Sequence, residues 1–370
     1  MSIDRSNLDR LMDRAARVAA RGHGLVEPGC MVGAVVAAAD GTVLAEDRYR
    51  RYGGPHAERT ALEKAGDAAR GGTLLVTLEP CDHHGKTPPC TEAVIASGVS
   101  TVVHACHDPN ELAAGGTEAL RRAGITVIHH PTPLTELLNA PHVHRTRTGL
   151  PWMIAKWAQT LDGRIATGSG HSKWISSTRS RRLVHRERGR VDAILTGVGT
   201  VLADDPLLTP RDLRRARRSP ERVVVDDQLD TPLDAGLVTT AGDTPTTILC
   251  RMEASTSARA GEFLAAGVRV VGIDEASGLR GTLRAEAAGR RWSTMMVEGG
   301  GGLLGRLFRD GLVNRALVFS APVLVGDESA PGPVRGLAPD SIESSIQLER
   351  LWSIERDPDR IELFRVAGGE

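Results

Sequence analysis

Pro55-His56-Ala57-Glu58, Glu79-Pro80-Cys81 and Pro88-Pro89-Cys90 offer one imidazole, two thiols and a carboxylate. An imidazole and two thiolates are three good zinc ligands and leave a fourth position for water. Cys81 follows a strand end and Cys90 opens a helix, whose N-terminal dipole favours a thiolate. Glu58 would lie beside such a metal without binding it. A carboxylate there moves protons between water and a substrate nitrogen, which is the chemistry of hydrolytic deamination of a nucleobase-like ring. Spacing alone leaves two other arrangements open: a closed structural zinc site with His83 or His84 as fourth ligand, and no metal. The gap between the two cysteines is longer than in the common deaminase signature.

A second set lies in the C-terminal half. No Gly-x-Gly-x-x-Gly follows a strand, and Gly197-x-Gly199 lacks the third glycine, so a Rossmann dinucleotide site is weakly supported. Glu298-Gly299-Gly300-Gly301-Gly302 follows a strand and opens a helix, where bare amides can approach a pyrophosphate. A flexible turn is the other reading. Thr196 to Thr200, then Asp204, Leu207 and Arg211, place small residues, a carboxylate and an arginine on a loop at a strand end, a common place for α/β sites. A carboxylate at a turn is often only a cap.

The elements that must hold these residues follow from apolar periodicity. Asn7–Arg21 reads as an amphipathic helix through Leu8, Leu11, Met12, Ala15 and Val18. Two apolar runs joined at Asp40-Gly41 read as a hairpin. The order to His129 is α-β-β-α-β-α-β-α-β, which predicts a three-layer α/β domain with a mixed sheet. The prolines and polar residues of Pro141–Pro151 read as a boundary. A second α/β series follows. Its strands fall near residues 153–157, 193–196, 222–225, 246–250, 268–271, 293–297 and 316–321, with helices near 178–190, 258–266, 278–288 and 303–310. Leu213–Pro220, with four arginines, reads as a solvated loop, and the tail from Asp340 holds two or three more strand-like runs.

Composition narrows the field. A chain of 370 residues suggests two or three domains. Its 41% hydrophobic and 25% charged residues suffice for two cores. Lys+Arg and Asp+Glu both number 46, which argues against a general nucleic-acid or membrane-surface binder. Aromatics at 3% disfavour a stacking platform for single strands. Five scattered cysteines do not form a disulfide framework, and no signal core or long apolar run is present. A cytoplasmic protein with reduced thiols is the expectation.

Glu79-Pro80-Cys81-Asp82-His83-His84-Gly85-Lys86-Thr87-Pro88-Pro89-Cys90, with Asp108-Pro109-Asn110 after the next strand, closely resembles the deaminase half of the bifunctional riboflavin-biosynthesis deaminase–reductases. Lys156–Arg164, Ser172–Ser176, Thr196–Arg211 and Glu298–Gly302 resemble the reductase half. The resemblance implies a cytidine-deaminase-like three-layer α/β/α domain over 1–146 and a dihydrofolate-reductase-like α/β domain over 147–370. It implies zinc on His56, Cys81 and Cys90, with Glu58 as proton shuttle. His83, Lys86 and Thr87 would hold a substrate phosphate, and Asp108 and Asn110 would lie near the ribose. In the second half Trp174, Ser176, Thr200 and Gly299, Gly300, Gly301 and Gly302 would border NADPH. Ser172, Arg188, Leu207, Arg211, Glu298 and Asp204 would meet substrate, with Asp204 orienting or protonating the reacting sugar. A guanidinium fork at Arg188 or Arg211 suits a phosphate. Trp174 could equally be a packing residue.

The implied activity is zinc-dependent deamination of 2,5-diamino-6-(5-phosphoribosylamino)pyrimidin-4-one, then NADPH reduction of its ribosyl group to ribityl. The implied partners are that small molecule and further copies of the chain, with neither nucleic acid nor membrane. Two departures stand out. The family usually has Asn-Pro-x-Val-Gly where this chain has Gly29-Cys30-Met31-Val32-Gly33, and a histidine where it has Tyr49. They keep two alternatives in view: a diverged paralogue acting on a related heterocycle, and a reductase carrying a non-catalytic deaminase scaffold.

Overall fold

The computed structural model describes residues 4–111, 113, 115–211, 213 and 217–368. The chain divides into two compact units, Met1–Gly149 and Leu150–Glu370.

In the first unit the elements are α1 (Arg5–Ala20), β1 (Gly33–Ala37), β2 (Val43–Arg48), α2 (Ala57–Ala65), β3 (Thr73–Val76), α3 (Cys90–Ser97), β4 (Thr101–His104), α4 (Gly116–Arg122), β5 (Thr126–His129) and α5 (Pro133–Thr148). Asp4 caps α1 by accepting the Asn7 N–H at 2.8 Å, which satisfies an otherwise orphaned donor. The sheet order is β2-β1-β3-β4-β5, with β1 antiparallel to both neighbours and the rest parallel. The alternate side chains of β1 face two cores. Val35 joins Leu11, Met12 and Ala15 of α1, while Ala34 and Val36 join Ala57, Ala61 and Leu62 of α2. Burial on both faces explains why β1 is apolar throughout.

The division between the units falls within Pro141–Pro151, at Gly149, but the segment up to Thr148 is helical rather than open. Thr132 and Thr135 cap the start of this helix, α5, reciprocally, Pro133 occupies the first turn, and Pro141 lies inside. An internal proline forfeits one backbone bond without reversing the chain. The strong cap and an anchor offset that loss: the Asn139 amide donates to the Thr77 carbonyl at 2.7 Å, at the end of β3.

The second unit holds β6 (Trp152–Thr160), α6 (Thr178–Arg188), β7 (Ala193–Gly197), α7 (Val198–Asp204), β8 (Glu221–Val225), α8 (Gly236–Thr239), β9 (Thr246–Arg251), α9 (Ala258–Ala265), β10 (Arg269–Ile273), α10 (Gly278–Arg290), β11 (Thr294–Val297), α11 (Gly301–Arg309), β12 (Arg315–Ala321), β13 (Leu348–Arg356) and β14 (Asp359–Val366). Its sheet runs β10-β9-β8-β7-β11-β6-β12-β14-β13, parallel as far as β12 and antiparallel beyond. β11 therefore lies between β6 and β7, and the carboxyl ends of these three neighbours meet. Ligands of open α/β sheets bind at such ends.

Helix α7 corrects a second reading, since Thr200 and Asp204 sit on it rather than on a loop. Its glycines and the following Asp205-Pro206 look like loop chemistry. The helix is short, and it stops where Asp205 turns left-handed at φ 41°. Of the arginine-rich run Leu213–Pro220, residues 214–216 lie outside the described residues.

Candidate active sites

In the first unit α2 and α3 begin beside the end of β3. His56 is the residue before α2, Cys90 is the first residue of α3, and Cys81 follows β3. Their ligand atoms lie within 4.8 Å of one another. Nδ1 of His56 is 3.2 Å from Cys90 Sγ and 3.6 Å from Cys81 Sγ. Nε2 of the same ring faces Thr87 Oγ1 at 3.4 Å. The imidazole thus presents Nδ1 to the sulfurs while a hydroxyl holds its other nitrogen, the usual way to orient a metal-binding histidine. A hydrogen bond from the Cys90 thiol, with His56 nearby, brings the Cys81 thiol down to about 4, while Cys90 is pushed up. One thiolate shared between two sulfurs next to an imidazole is a donor set for a cation.

Glu58 lies in the first turn of α2 and is buried. Burial raises its carboxyl, and Oε2 has no hydrogen-bond partner among the described residues. A buried carboxylate oxygen left unpaired beside three converging ligands fits a zinc site in which Glu58 serves protons and does not bind metal.

The loop from Cys81 to Cys90 carries the other predicted residues. Nδ1 of His83 is buried without a partner among the described residues. Lys86 Nζ lies 4.0 Å over the centroid of the Tyr52 ring. Thr87 contacts His56, as above. Asp108 and Asn110 form a turn in which the Asn110 N–H donates to Asp108 Oδ1 at 2.9 Å. Buried Glu79 ties this turn to the metal loop. It accepts from the Thr117 N–H at 2.8 Å and the Asp108 N–H at 3.4 Å, and lies 3.2 Å from His107 Nδ1.

Sequence reasoning missed two contributors from α5. His142 Nε2 approaches Asp108 Oδ1 at 3.5 Å, and Arg145 donates to the Pro28 carbonyl at 2.5 Å. Their three-residue separation on a capped helix was the available signal.

In the second unit Glu298 ends β11 between two cations. Arg188 Nε and Nη2 donate to Oε1 and Oε2 at 2.5 and 2.9 Å, and Lys156 Nζ lies 3.4 Å from Oε2. Burial works against the charge of Glu298, but Arg188 and Lys156 outweigh it and hold its carboxyl at about 2. Arg188 also donates to the Thr209 carbonyl, which His185 Nδ1 approaches at 3.3 Å. His185 in turn accepts from the Arg211 N–H at 3.3 Å. Arg188, His185 and Arg211 therefore share one corner, and the two guanidinium charges add to burial in lowering His185. Lys156 and His185 are the residues that sequence reading did not single out.

Lys173 Nζ lies 3.5 Å from Asp204 Oδ1. Ser172 and Ser176 are partly buried beside it in sequence, and Trp174 is exposed with the Arg181 guanidinium 4.5 Å over its ring. The Gly300 N–H donates to Thr200 Oγ1 at 3.1 Å, joining the starts of α7 and α11. Leu207 is held through its carbonyl by buried Arg222 at 3.4 Å. The four glycines differ. A Cβ at Gly302 meets open space, and one at Gly300 only Thr200 Oγ1 at 3.8 Å. A Cβ at Gly301 would lie 2.7 Å from the Gly332 carbonyl oxygen, and one at Gly299 would lie 2.9 Å from Leu303. Gly301 is bare because another segment crosses it.

Residues 151–359 match the RibD C-terminal domain, and residues 5–106 match the cytidine and deoxycytidylate deaminase zinc-binding region. A riboflavin biosynthesis protein RibD from Aquifex aeolicus (strain VF5) is 38% identical over 92% of this chain and 93% of its own length. Its counterpart in Escherichia coli (strain K12) is 39% identical over 86% and 88%. The chain belongs to the RibD family. A solved RibD from Acinetobacter baumannii matches 98% of this chain and 99% of its own with TM-score 0.83 at 31% identity. A Thermotoga maritima structure described as a diaminohydroxyphosphoribosylaminopyrimidine deaminase/5-amino-6-(5-phosphoribosylamino)uracil reductase matches over the same shares, with TM-score 0.82 at 32% identity. Like the family, the chain is a bifunctional enzyme of riboflavin biosynthesis, a zinc deaminase joined to an NADPH reductase. The comparisons favour neither the diverged paralogue nor the reductase with an inert scaffold.

Proposed function

We propose that the N-terminal unit deaminates 2,5-diamino-6-(5-phosphoribosylamino)pyrimidin-4-one and that the C-terminal unit then reduces the ribosyl group to ribityl. The observation that carries the first step is Glu58 Oε2, buried and unpaired beside the convergent His56, Cys81 and Cys90. His56, Cys81 and Cys90 would hold a zinc ion, which when bound would supply an activated water. Glu58 takes up the proton of the attacking water and returns one to the departing amino nitrogen, so that ammonia leaves and a carbonyl remains. Thr87 keeps the His56 ring in place. His83 and Lys86 bind the substrate phosphate, and Asp108 and Asn110 hold the ribose on the turn that Glu79 anchors.

In the second unit NADPH supplies the hydride. Thr200, Gly299, Gly300, Gly301, Gly302, Trp174 and Ser176 would border it, with Gly300 and Gly302 at the open amino end of α11. Arg188, Lys156 and Glu298 leave one net positive charge beside Arg211, which suits an anionic substrate. Ser172 and Leu207 shape the site, and Asp204, held near Lys173, protonates or orients the reacting sugar oxygen.

The same reading makes the protein a cytoplasmic homo-oligomer joined through its second unit. Among the described residues no helix is long and apolar enough to cross a membrane. Leu161 and Leu324 of the second unit are 70% and 71% exposed. Sedimentation at several concentrations tests the oligomer, and a monomer throughout would contradict it.

The test of function is a two-step assay with the zinc-loaded full chain. Ammonia release from the diamino compound should precede NADPH oxidation, and NADPH oxidation should depend on the first product. Neither reaction, or reduction without deamination, would contradict the reading.

A further inference from the structure

The chain has two tyrosines, and each adjoins a residue of the deaminase set, Tyr49 beside His56 and Tyr52 under Lys86. Tyr49 is buried edge-on against His56, ring centroids 5.5 Å apart at 88°, and its hydroxyl accepts the Gly53 N–H at 2.6 Å. Tyr52 is 44% exposed. A Cβ at Gly29 would stand 3.1 Å from Tyr49 Cε1, 3.3 Å from Tyr52 Cδ2 and 3.0 Å from the Val26 carbonyl oxygen. The bare position and the two rings are therefore one packing unit. A side chain at 29 would press on both rings and on the Val26 carbonyl, and one of them would have to give way.

Two cations adjoin this packing unit. Lys86 Nζ lies over the face of Tyr52, and a Cβ at Gly53 would be 3.2 Å from the Lys86 stem. No carboxylate pairs with Lys86 among the described residues. Arg145 is bonded to the Pro28 carbonyl, one residue before Gly29. Burial lowers the Arg145 guanidinium, and the charges of Tyr52 and Cys30 partly restore it. An ammonium held on an aromatic face without a carboxylate keeps its charge for an anion.

We propose that Tyr52 is a specificity-determining residue of the deaminase site, one that positions Lys86 for the substrate's phosphate and fills the space that a side chain at position 29 would need. The proposal rests on the deaminase reading given above.

The test is steady-state ammonia release by the zinc-loaded full chain, with the dephosphorylated substrate as competitive inhibitor. Tyr52→Leu should raise KM for the phosphorylated substrate roughly two- to five-fold, the span of an exposed cation–π contact. It should leave kcat, zinc content and the inhibition constant of the dephosphorylated compound unchanged. Tyr52→Phe keeps the ring face and should recover most of the KM. An unchanged KM in Tyr52→Leu, an equal loss for both compounds, or loss of zinc would overturn the proposal. Absence of ammonia release by the unaltered protein would instead overturn the deaminase reading, and is seen before any variant is made.

Discussion

Arg188 holds Glu298 with two arms of its guanidinium, Nε on Oε1 at 2.5 Å and Nη2 on Oε2 at 2.9 Å. Lys156 completes a triad with one net positive charge at the end of β11. Resemblance to the family points Arg188 and Glu298 toward substrate, and the structure first points them toward each other. The pair sets the shape of the corner, and the surplus charge sets its affinity for an anion.

Glu298→Gln should therefore cost about 3 kcal/mol in stability of the second unit, because two partly buried cations lose their counter-charge. The carboxyl is depressed to about 2 in the folded protein. The stability it contributes is present above its unfolded value, near 4.5, and is lost as pH falls toward 2. Urea unfolding at pH 7 and at pH 3 checks this. The gap between variant and wild type should narrow at the lower pH, and a constant gap would contradict it.

Thr87→Val should weaken zinc binding by roughly ten- to a hundred-fold, the usual cost of losing the group that orients a metal-bound histidine. Competition with a chelator measures it directly. Unchanged zinc affinity with raised KM would place Thr87 on the substrate instead.

The glycine run separates packing from cofactor approach. Gly301→Ala forces a Cβ against the Gly332 carbonyl and should destabilise the second unit by roughly 1–3 kcal/mol. Gly302→Ala has open space, so thermal unfolding should hold while KM for NADPH rises. Equal melting losses in both variants would show that both glycines serve packing.

Asp204→Asn should lower the single-turnover rate of NADPH oxidation about a hundred-fold, the scale of a lost general acid, with little change in NADPH affinity. A rate within two-fold of wild type, on the order of measurement scatter, would leave Asp204 only as the ion-pair partner of Lys173.

What the sequence made legible followed from local rules. Apolar periodicity delimits β1, α2 and β11, since each buries a face in a core that wants that period. His56, Cys81 and Cys90 stand out because each follows or opens an element at the same end of one sheet. The rest depended on long-range partners. Helix α5 was hidden by Pro141, whose cost is offset by the Thr132 cap and by Asn139 reaching Thr77. Helix α7 was hidden by glycine-rich chemistry at its start. Gly29 looks like a lost contact until Tyr49 and Tyr52 are seen against it. Lys156 sits within a strand, and only the register β6–β11 brings it beside Glu298.

The central claim is that one chain carries two independent chemistries, the first through Glu58. Glu58→Gln in the full-length protein tests it most directly, with zinc content, ammonia release and reduction of the deaminated intermediate measured on one preparation. The account predicts full zinc occupancy, loss of ammonia release by at least about a hundred-fold, and undiminished NADPH oxidation. Ammonia release at the wild-type rate in that variant would contradict it.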